Sequence, residues 1–256
     1  VKVYFNDKEG EIQQFSNNSI VAEVPAGAYS GQVKVTVDGS SATFPGFEYL
    51  ITDIQVSTYA GSAEGYADGP VEDALFTRPW GLTLDSDGNL YVSERHRIRK
   101  ISTDGIVSTI AGTGETGFSD GMGENALFNL PFGLTMDNQN NLYVGDFGNN
   151  RVRKISSTGE VTTLAEVPFP VELVRNEAGE MYVVSENAVL FISSGNQVAS
   201  FAGSATAGYE EGSPFSARFN TPVGLALDKA GNLYVGDSEN DAIRIIYPGE
   251  VDTFAG

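Results

Sequence analysis

Short runs in which apolar and polar residues alternate occupy most of the chain, and glycine, asparagine and aspartate separate them. Between residues 81 and 112 the runs are "GLTLD", "NLYVSE", "RIRKIS" and "VSTIAG". The polar segment "DSDGN" connects the first run to the second, and "STDGI" connects the third run to the fourth. Alternation with a period of two is typical of β-strands, and such polar segments are typical of hairpin turns. The pattern therefore predicts four short strands, which we term a, b, c and d.

This group of strands repeats along the chain. "TRPWGLTLDSDGNLYVSE" at 77–94 returns as "NLPFGLTMDNQNNLYVGD" at 129–146, as "NTPVGLALDKAGNLYVGD" at 220–237 and, more weakly, as "PFPVELVRNEAGEMYVVSE" at 168–186. One proline marks the same position in every copy, at Pro79, Pro131, Pro170 and Pro222. Insertions precede strand a in three copies, at 61–78, 113–130 and 204–221, and the third copy lacks one. Four-stranded units repeated at this length are typical of β-propeller blades.

Strands of type d outnumber the sets of strands a, b and c. Five occur, at 56–61, 107–112, 161–166, 198–203 and 251–256, against four a–b–c sets. The first d strand therefore has no inner strands of its own. Because propellers remove open sheet edges by pairing such a strand with another blade, we expect the protein to continue past Gly256 with at least one more blade. A four-blade arrangement with one redundant strand is the alternative.

The repeated pattern resembles the NHL-repeat propellers. The residues that carry the resemblance in the second copy are Ala126, Phe128, Pro131, Gly133, Asp137, Asn141 to Val144, Asp146, Asn150, Val152 to Ile155, and Val161 to Ala165. The resemblance implies an NHL-repeat β-propeller over residues 54–256. The histidine that this family usually carries between strands b and c is missing, and "SERHRIRKI", "GDFGNNRVRK" and "GDSENDAIRI" stand in its place.

Residues 1–50 have a different pattern, with period-two alternation that ends in "FEY". They resemble the C-terminal half of an IPT/TIG immunoglobulin-like domain through Val24, Pro25, Gly31, Val33, Val35, Val37, Phe44 and Phe47 to Tyr49. The expected fold class is all-β, with a partial immunoglobulin-like β-sandwich followed by the propeller. A TIG domain joined to NHL blades resembles exported bacterial cell-surface proteins that accompany polysaccharide utilisation. The resemblance implies a location at the bacterial cell surface or in the periplasm.

Charge and composition narrow the function. The formal net charge is −19, which opposes binding to nucleic acid and to anionic membrane surfaces. The chain has no cysteine and one histidine, so it lacks disulfides, thiolate chemistry and a zinc site of three nitrogen or sulfur ligands. No stretch of about 18 apolar residues occurs, so the sequence predicts no transmembrane segment.

Residues that recur in every copy are assigned to the scaffold. Carboxylates end each strand b, and we expect them to accept hydrogen bonds from their own b–c turns; they are Glu94, Asp146, Glu186 and Asp237. Leucine or methionine alternates along strand a and is expected to fill the core between blades, at Leu82, Leu84, Leu134, Met136, Leu225 and Leu227. The basic residues of strand c are expected on a salt-bridged blade surface, at Arg97, Arg99, Lys100, Arg151, Arg153 and Lys154. "DSDGN" departs from the EF-hand pattern, so a hairpin turn is favoured over a calcium loop.

Departures from the repeat locate the candidate site. The insertions all precede strand a, so we expect one face of the propeller to bear the long loops and the ligand. Trp80 and Phe132 follow the marker proline in adjacent blades and are expected near the mouth of the central funnel. Two neighbouring aromatic rings suit a sugar ring or an apolar ligand, whereas hydrophobic filler at the tunnel entrance is the alternative.

Polar and aromatic candidates complete the predicted ligand-binding set. Glu172 replaces the glycine that its sister blades carry beside the axis, and it is the best candidate for a polar contact. Arg95 and His96 replace a Gly/Asn turn between strands b and c, and Phe147 occupies that turn in the second blade. The insertion aromatics Tyr66, Phe118 and Tyr209 recur, so we interpret them as loop anchors first and ligand contacts second.

Three hypotheses for function follow from the sequence. The leading one is a non-catalytic surface protein that binds glycan or another extracellular ligand, with no cofactor. The second is a calcium-dependent hydrolase or lyase of the lactonase-like propeller kind, for which calcium would be the cofactor. The third is an adhesion scaffold that binds an extracellular protein. The aliphatic and aromatic residues at the axial positions disfavour a metal site and therefore favour the first hypothesis over the second.

Overall fold

The computed structural model describes residues 1–6, 8–16, 19–24, 31–47 and 56–256. The chain divides into two compact units, Val1–Ser57 and Thr58–Gly256. The first unit is one antiparallel sheet in the order β3-β2-β1-β4-β5. Its strands are β1 Lys2–Phe5, β2 Lys8–Phe15, β3 Ile20–Glu23, β4 Gly31–Val37 and β5 Ser40–Phe47.

The alternation predicted for the first fifty residues is present as strands. Val3 and Phe5 lie two positions apart on the central strand β1, so both point to one face, where they are buried. These strands agree with an all-β unit, while its identity as an immunoglobulin-like domain stays a prediction. Of the residues that carry the resemblance, Pro25 and the stretch 48–49 lie outside the described residues.

The second unit contains four antiparallel sheets, which correspond to the four predicted blades. Blade 1 consists of β6 Gly69–Pro70, β7 Pro79–Leu84, β8 Leu90–Glu94, β9 Arg97–Ile101 and β10 Ile106–Ala111. Blade 2 consists of β11 Gly121–Met122, β12 Pro131–Met136, β13 Leu142–Asp146, β14 Arg151–Ile155 and β15 Glu160–Glu166. Blade 3 consists of β16 Pro170–Arg175, β17 Met181–Ser185, β18 Ala188–Ile192 and β19 Val198–Gly203. Blade 4 consists of β20 Pro222–Leu227, β21 Leu233–Asp237, β22 Ala242–Tyr247 and β23 Glu250–Ala255.

One predicted strand is absent. Residues 56–61 have the sequence of a d strand, but they form no strand. A d strand is held by its ladder to strand c, and no strand c pairs with these residues among the described elements. The prediction of a strand was wrong, because the alternating pattern shows that a segment is able to pair as a strand but does not show that a partner strand lies beside it.

The a–b hairpin turns confirm the prediction for "DSDGN". One carboxylate oxygen of Asp85 accepts the backbone N–H groups of Asp87 at 3.0 Å and Asn89 at 2.8 Å. Its other oxygen accepts the Asn89 side-chain amide at 2.8 Å and the Tyr91 hydroxyl at 3.1 Å. Burial, followed by the Asp85 charge, raises the pKa of Tyr91 to about 12. The carboxylate therefore organises its own turn, and blades 2 and 4 repeat the arrangement around Asp137 and Asp228.

Apolar side chains fill the spaces between consecutive blades. Phe128 and Leu134 of blade 2 pack with Tyr91 and Ile98 of blade 1 in one buried cluster. Blade 1 breaks the prediction that leucines of strand a are core residues, because Leu82 and Leu84 are both exposed (no described blade covers that side). In the repeat these leucines occupy core positions, but in blade 1 they lie at the surface because no described blade packs against them.

Of the basic residues predicted on a salt-bridged surface, Arg151 pairs there with the exposed Glu166, but Arg99 and Arg153 are among the most deeply buried residues. Arg99, Arg153 and the corresponding Arg244, which sequence reasoning overlooked, have no exposed area. Each donates from Nη1 to the carboxylate that ends strand b, at 2.8 Å to Glu94, 2.8 Å to Asp146 and 3.0 Å to Asp237. The predicted salt bridges exist, but they lie inside the blade, because the insertions cover them.

Each insertion folds back along the outer edge of its own blade. Strands β6 and β11 pair with the d strands β10 and β15. In blade 2, Arg153 donates to the carbonyl oxygens of Ser119 and Leu127 at 2.8 and 3.1 Å and to the Asp120 carboxylate at 2.6 Å. The ring of Phe118 lies 4.9 Å from the guanidinium. The insertion thus supplies the acceptors that a buried guanidinium needs.

Blade 3 lacks the insertion, the buried arginine and the carboxylate that ends strand b. It has no insertion, Leu190 stands opposite Val183 where the other blades have arginine, and Ser185 stands opposite Pro170 where they have a carboxylate. The predicted carboxylate Glu186 lies one position further on and is exposed, so its assignment to the set was wrong. The arginine, its carboxylate and the insertion therefore form one structural unit.

We expect Arg153→Leu to lower the free energy of unfolding by about 3–5 kcal/mol, because Asp146 is left as a buried charge without its cation. The double variant Arg153→Leu/Asp146→Ser reproduces the pair found in blade 3 and should lose less than the single variant. Arg151→Leu is the matched control on the same strand, since Arg151 pairs with the exposed Glu166 and should cost under about 1 kcal/mol. Urea unfolding measures all three, and equal losses for Arg151→Leu and Arg153→Leu would contradict this account.

Candidate functional site

Four aromatic side chains stack in a continuous row at one end of the inner strands. Trp80 and Phe132 have ring centroids 4.3 Å apart with planes 13° from parallel. Phe132 and Phe147 follow at 4.7 Å and 27°, and Phe147 and Phe169 at 5.5 Å and 53°. We call these four residues the aromatic row. Sequence reasoning predicted that Trp80 and Phe132 would be neighbours, and the structure places them in direct contact.

The row collects residues from three different kinds of position. Trp80 and Phe132 each follow the marker proline on an inner strand. Phe147 begins the short 3₁₀ turn Phe147–Asn149 that follows β13. Phe169 precedes Pro170 and has a left-handed backbone with φ of 43°. Sequence reasoning missed Phe169, although the position before the marker proline is the signal that would have found it.

The ends of the row face outward. Trp80 is 56% exposed and Phe169 is 43% exposed, whereas Phe132 and Phe147 between them are half-buried. Two large aromatic rings exposed to water are unfavourable, so a ligand that covers them would gain the hydrophobic free energy of their burial. The row is therefore a ready-made apolar contact surface about four rings long.

Close contact between inner strands fixes the first two rings of the row. The Ser93 hydroxyl accepts the Gly81 N–H at 2.8 Å and donates to the Phe132 carbonyl oxygen at 2.5 Å. A Cβ atom at Gly81 would lie 2.3 Å from that carbonyl oxygen, so only glycine permits the approach. Blades 1 and 2 are thereby locked at the level of Trp80 and Phe132, which preorganises their rings.

Glu172 lies beside the row on the inner strand of blade 3. Its Oε1 accepts the N–H of Leu173 at 3.0 Å and lies over Gly133, where a Cβ atom would come within 2.8 Å of it. Its Oε2 has no hydrogen-bond partner within the described part of the chain. Burial raises the pKa of the Glu172 carboxyl, and the Leu173 N–H opposes this rise. The side chain thus has one oxygen without a partner, and its other oxygen lies over Gly133, the residue that follows Phe132.

His96 forms a contact between blades. Its Nδ1 accepts the N–H of Leu130, the residue before the marker proline of blade 2, at 3.2 Å. Asn150 accepts the N–H of Phe169 at 3.0 Å, and Asn187 accepts the N–H of Thr221 at 3.0 Å, in the same relation between the next blades. His96 therefore serves an architectural role that the repeat assigns to this position, and its Nδ1 is occupied.

Burial and the neighbouring positive charges both favour the neutral form of His96 by lowering its pKa. Burial lowers the pKa of His96, and the positive charges of Arg95 and Arg97 lower it further, while Glu115 opposes them. A neutral ring is required, because a protonated Nδ1 could not accept the Leu130 N–H. Arg95 itself is exposed and forms no ion pair within the described residues.

The insertions contribute less to this face than their length predicts. Tyr66 stacks on Arg97 at 3.8 Å and lies 5.1 Å from Arg99. Phe118 and Tyr209 lie over the arginines of their own blades in the same way, 4.9 and 4.7 Å from the guanidinium carbon. The interpretation of these aromatics as loop anchors agrees with these contacts. Much of each insertion is therefore committed to the outer edge of its blade.

Metal-ligating clusters and membrane-spanning helices are both absent from the described residues. No group of three or more histidine or acidic side chains is arranged there to hold a metal ion. No helix in the same ranges has the length and apolar character needed to cross a membrane.

Comparison with known families identifies the repeat. The NHL repeat matches the chain at residues 76–101, 128–155 and 219–246. These ranges hold strands a, b and c of blades 1, 2 and 4, the three blades that contain the buried arginine and its insertion. The chain therefore carries NHL repeats in three of its four blades, which supports a β-propeller of the NHL type.

Curated relatives share only part of their length with this chain. NHL repeat-containing protein 2 of Bos taurus is 29% identical over 205 residues, which cover 73% of this chain and 23% of that protein. Protein SUPPRESSOR OF QUENCHING 1, chloroplastic, of Arabidopsis thaliana is 35% identical over 95 residues, which cover 36% of this chain and 9% of that protein. This chain thus spans less than a quarter of the length of these relatives.

Solved structures support the fold. A structural genomics protein of unknown function from Bacteroides thetaiotaomicron has a TM-score of 0.50 and 23% identity, covering 100% of this chain and 78% of that chain. A catalytically inactive virginiamycin B lyase from Staphylococcus aureus, solved with quinupristin, has a TM-score of 0.51 and 16% identity, covering 88% of this chain and 63% of that chain. At these identities the likeness establishes the propeller-like fold.

We expect His96→Asn to preserve stability at neutral pH and His96→Ala to lose about 0.5–1.5 kcal/mol, since asparagine supplies the acceptor that blades 2 and 3 use. Because the folded pKa of His96 is lowered, the unfolded chain binds more protons in acid, and the native protein should lose stability as the pH falls below about 6.5. The Asn variant lacks that loss. Thermal unfolding from pH 5 to 8 measures the difference, and parallel pH profiles for both proteins would refute the assignment.

Proposed function

We propose that this chain is the ligand-binding part of a non-catalytic, exported bacterial surface protein, and that the aromatic row receives a glycan. The row itself is the observation that carries the proposal. Its two outer rings are exposed, its first three rings are stacked and the fourth is tilted against the third, and inner-strand contacts hold the first two in place. Aromatic faces of this kind pack against the apolar C–H faces of sugar rings.

Polar groups beside the row supply what an apolar platform lacks. Sugar hydroxyls need acceptors and donors, and Glu172, whose side chain lies over Gly133 next to Phe132 in the sequence, has Oε2 available as an acceptor. Arg95 is an exposed donor that follows β8 in blade 1, and it is free of ion pairs to described residues. Together with the row, these two side chains can fix the orientation of a bound saccharide.

The net charge of −19 agrees with this class of ligand. A strongly acidic protein repels nucleic acid and anionic lipid, whereas neutral saccharides are indifferent to its field. The location at the bacterial surface or in the periplasm is part of the same proposal and rests on the resemblance of the TIG–NHL arrangement.

The second candidate is a calcium-dependent hydrolase or lyase, and the fold likeness to a virginiamycin B lyase favours it. The third is an adhesion scaffold that recognises an extracellular protein through the same face. Both remain alternatives that the experiments below separate from glycan binding.

We expect Trp80→Ala combined with Phe169→Ala to weaken glycan affinity at least tenfold, which is about 1.4 kcal/mol, because both exposed contact rings are lost. Phe215→Ala is the matched control, since Phe215 is 73% exposed and belongs to no ring pair of the described residues. A glycan array identifies the ligand, and affinity electrophoresis measures the variants. Equal retardation of the double variant and the native protein would rule out the row as the site.

Calcium distinguishes binding from catalysis. We expect glycan affinity to be the same in calcium and in a chelator, and we expect no turnover of lactone or ester substrates in either buffer. The measurement is a hydrolysis assay run beside the binding assay on one preparation. Calcium-dependent turnover would establish the hydrolase, whereas an array without signals combined with a specific protein crosslink would establish the adhesion scaffold.

A further inference from the structure

Two arginines close to the Trp80 end of the aromatic row are without partners. Arg78 and Arg95 are exposed, and their side chains form no ion pair, hydrogen bond or ring contact with any described residue. The other arginines of the chain each contact a carboxylate, a carbonyl oxygen or an aromatic ring. Since the chain has 34 acidic and 15 basic residues, carboxylate partners are not scarce. Both guanidinium groups are therefore available to a ligand.

The ladder between β7 and β8 brings the two arginines to the same strand ends. Pro79 stands opposite Glu94 in this ladder, Arg78 directly precedes Pro79, and Arg95 directly follows Glu94. Trp80 is the residue after Pro79, so its ring and both arginines belong to one end of blade 1. Like charges that leave neighbouring strands side by side repel each other. An anion bound between them would replace this repulsion by two attractive contacts.

The carboxylates in this part of blade 1 do not neutralise the two arginines. Glu94 is fully buried, where its Oε2 accepts the N–H of Thr77 at 2.9 Å and its Oε1 accepts from Arg99 at 2.8 Å. Glu64 lines a groove together with Arg78, yet the two side chains form no ion pair. The positive charge at the strand ends therefore stays uncompensated among the described residues.

His96, between Arg95 and Arg97 in the sequence, responds to this charge. Burial is the first cause that lowers the pKa of His96, and the charges of Arg95 and Arg97 follow. Glu115 is the acidic group that opposes them, and its effect is the smallest of the four. Arg97 is itself held, because its Nη2 donates to the Thr113 carbonyl oxygen at 2.9 Å. Positive charge thus outweighs negative charge around the b–c turn of blade 1.

The fold does not account for arginine at either position. Both residues have left-handed backbone, with φ of 52° at Arg78 and 30° at Arg95, a conformation that glycine adopts without strain. In blade 3 the corresponding residues, Phe169 and Glu186, have φ of 43° and 54°. The left-handed backbone is therefore a property of the repeat, and it is compatible with quite different side chains. Arginine at both positions is a property of blade 1.

The remainder of the row suits an uncharged partner. Phe132 stacks on one face of Trp80, and the opposite face stays open, since the side chain is 56% exposed. Phe147 and Phe169 continue the row as apolar rings, and Glu172 on the neighbouring inner strand would repel a second carboxylate. The row is thus positive at its Trp80 end and apolar along the rest of its length.

We propose that Arg78, Arg95 and Trp80 form a subsite for one acidic sugar residue at the end of an otherwise neutral saccharide. This subsite rests on the proposed function and narrows its ligand class. The two guanidinium groups donate charge-assisted hydrogen bonds to the carboxylate, while the C–H face of the same sugar packs on the open face of Trp80. The net charge of −19 does not prevent the contact, because exposed charges more than about 8 Å away are largely screened at physiological salt.

A glycan array with matched pairs of probes tests the subsite. The probes are oligosaccharides that end in a uronic acid or a sialic acid, each beside its carboxyl-reduced form. We expect at least one acidic probe to bind at least tenfold more tightly than its reduced form, as measured by titration calorimetry on the pair. Because the arginines are exposed, this affinity ratio should fall as the salt concentration rises from about 0.05 to 0.5 M.

Variants of the arginines test the same ratio. Arg78→Gln/Arg95→Gln should reduce it to about one, whereas Arg78→Lys/Arg95→Lys should keep part of it, because lysine retains the charge and loses the planar paired donors. Lys154→Gln/Lys229→Gln is the matched control. It removes the same two charges from strand c of blade 2 and from the a–b turn of blade 4, so it should leave the ratio unchanged.

Arg95→Gly separates binding from folding. Glycine suits the left-handed backbone at φ of 30°, so this variant should keep or raise Tm while the affinity ratio falls at least threefold. A lower Tm together with an unchanged ratio would assign Arg95 to the fold and overturn the subsite.

The outcomes separate the subsite from the proposed function. Equal affinity of the native protein for acidic and reduced probes, or a ratio that survives Arg78→Gln/Arg95→Gln, overturns the subsite and leaves glycan binding by the row intact. Binding of no probe overturns both. Acidic binding that needs the arginines but persists in Trp80→Ala/Phe169→Ala supports the carboxylate contact and overturns the row.

Discussion

A buried guanidinium group is the constraint on which three of the four blades depend. It has five N–H donors, and strand c offers no acceptor for them inside the sheet. In Arg153, the carboxylate that ends strand b, two carbonyl oxygens of the insertion and the Asp120 carboxylate together accept from all five donors. Blade 4 shows how demanding this is, because Glu211 engages Thr253 and leaves Nε of Arg244 without a partner among the described residues. Burial of the charge and folding of the insertion therefore require each other.

This constraint separates two roles within each blade. The insertion is held at the outer edge, where it covers the arginine and the d strand, so the inner strands are free to approach one another closely. Ser93 and the absence of a side chain at Gly81 bring blades 1 and 2 together at the level of Trp80 and Phe132. The candidate site thus depends on rigid inner strands rather than on the long loops. Sites built on such elements hold their side chains more accurately than sites built on loops.

Several features could be read from local sequence because neighbouring residues decide them. The turn around Asp85 is closed by groups within six residues of it, and the contact of Trp80 with Phe132 follows from one position repeated in adjacent blades. Other assignments failed where a distant group decides the outcome. Arg99 was expected at the surface because an isolated strand c exposes it, and the insertion that covers it begins more than thirty residues earlier. Leu82 was expected in the core because its position is a core position wherever a blade precedes it.

The sequence by itself determined strands a to d of the four blades, their hairpin turns and the pairing of insertion with repeat, because periodicity and turn chemistry act over a few residues. The tertiary structure alone decided that the row extends through Phe147 to Phe169, that His96 joins two blades, and that Leu82 of blade 1 is exposed. These properties depend on which segments become neighbours around the axis. The contacts join residues 15 to 34 positions apart, whereas a repeat pattern describes each blade alike and does not say which residues lie beside it.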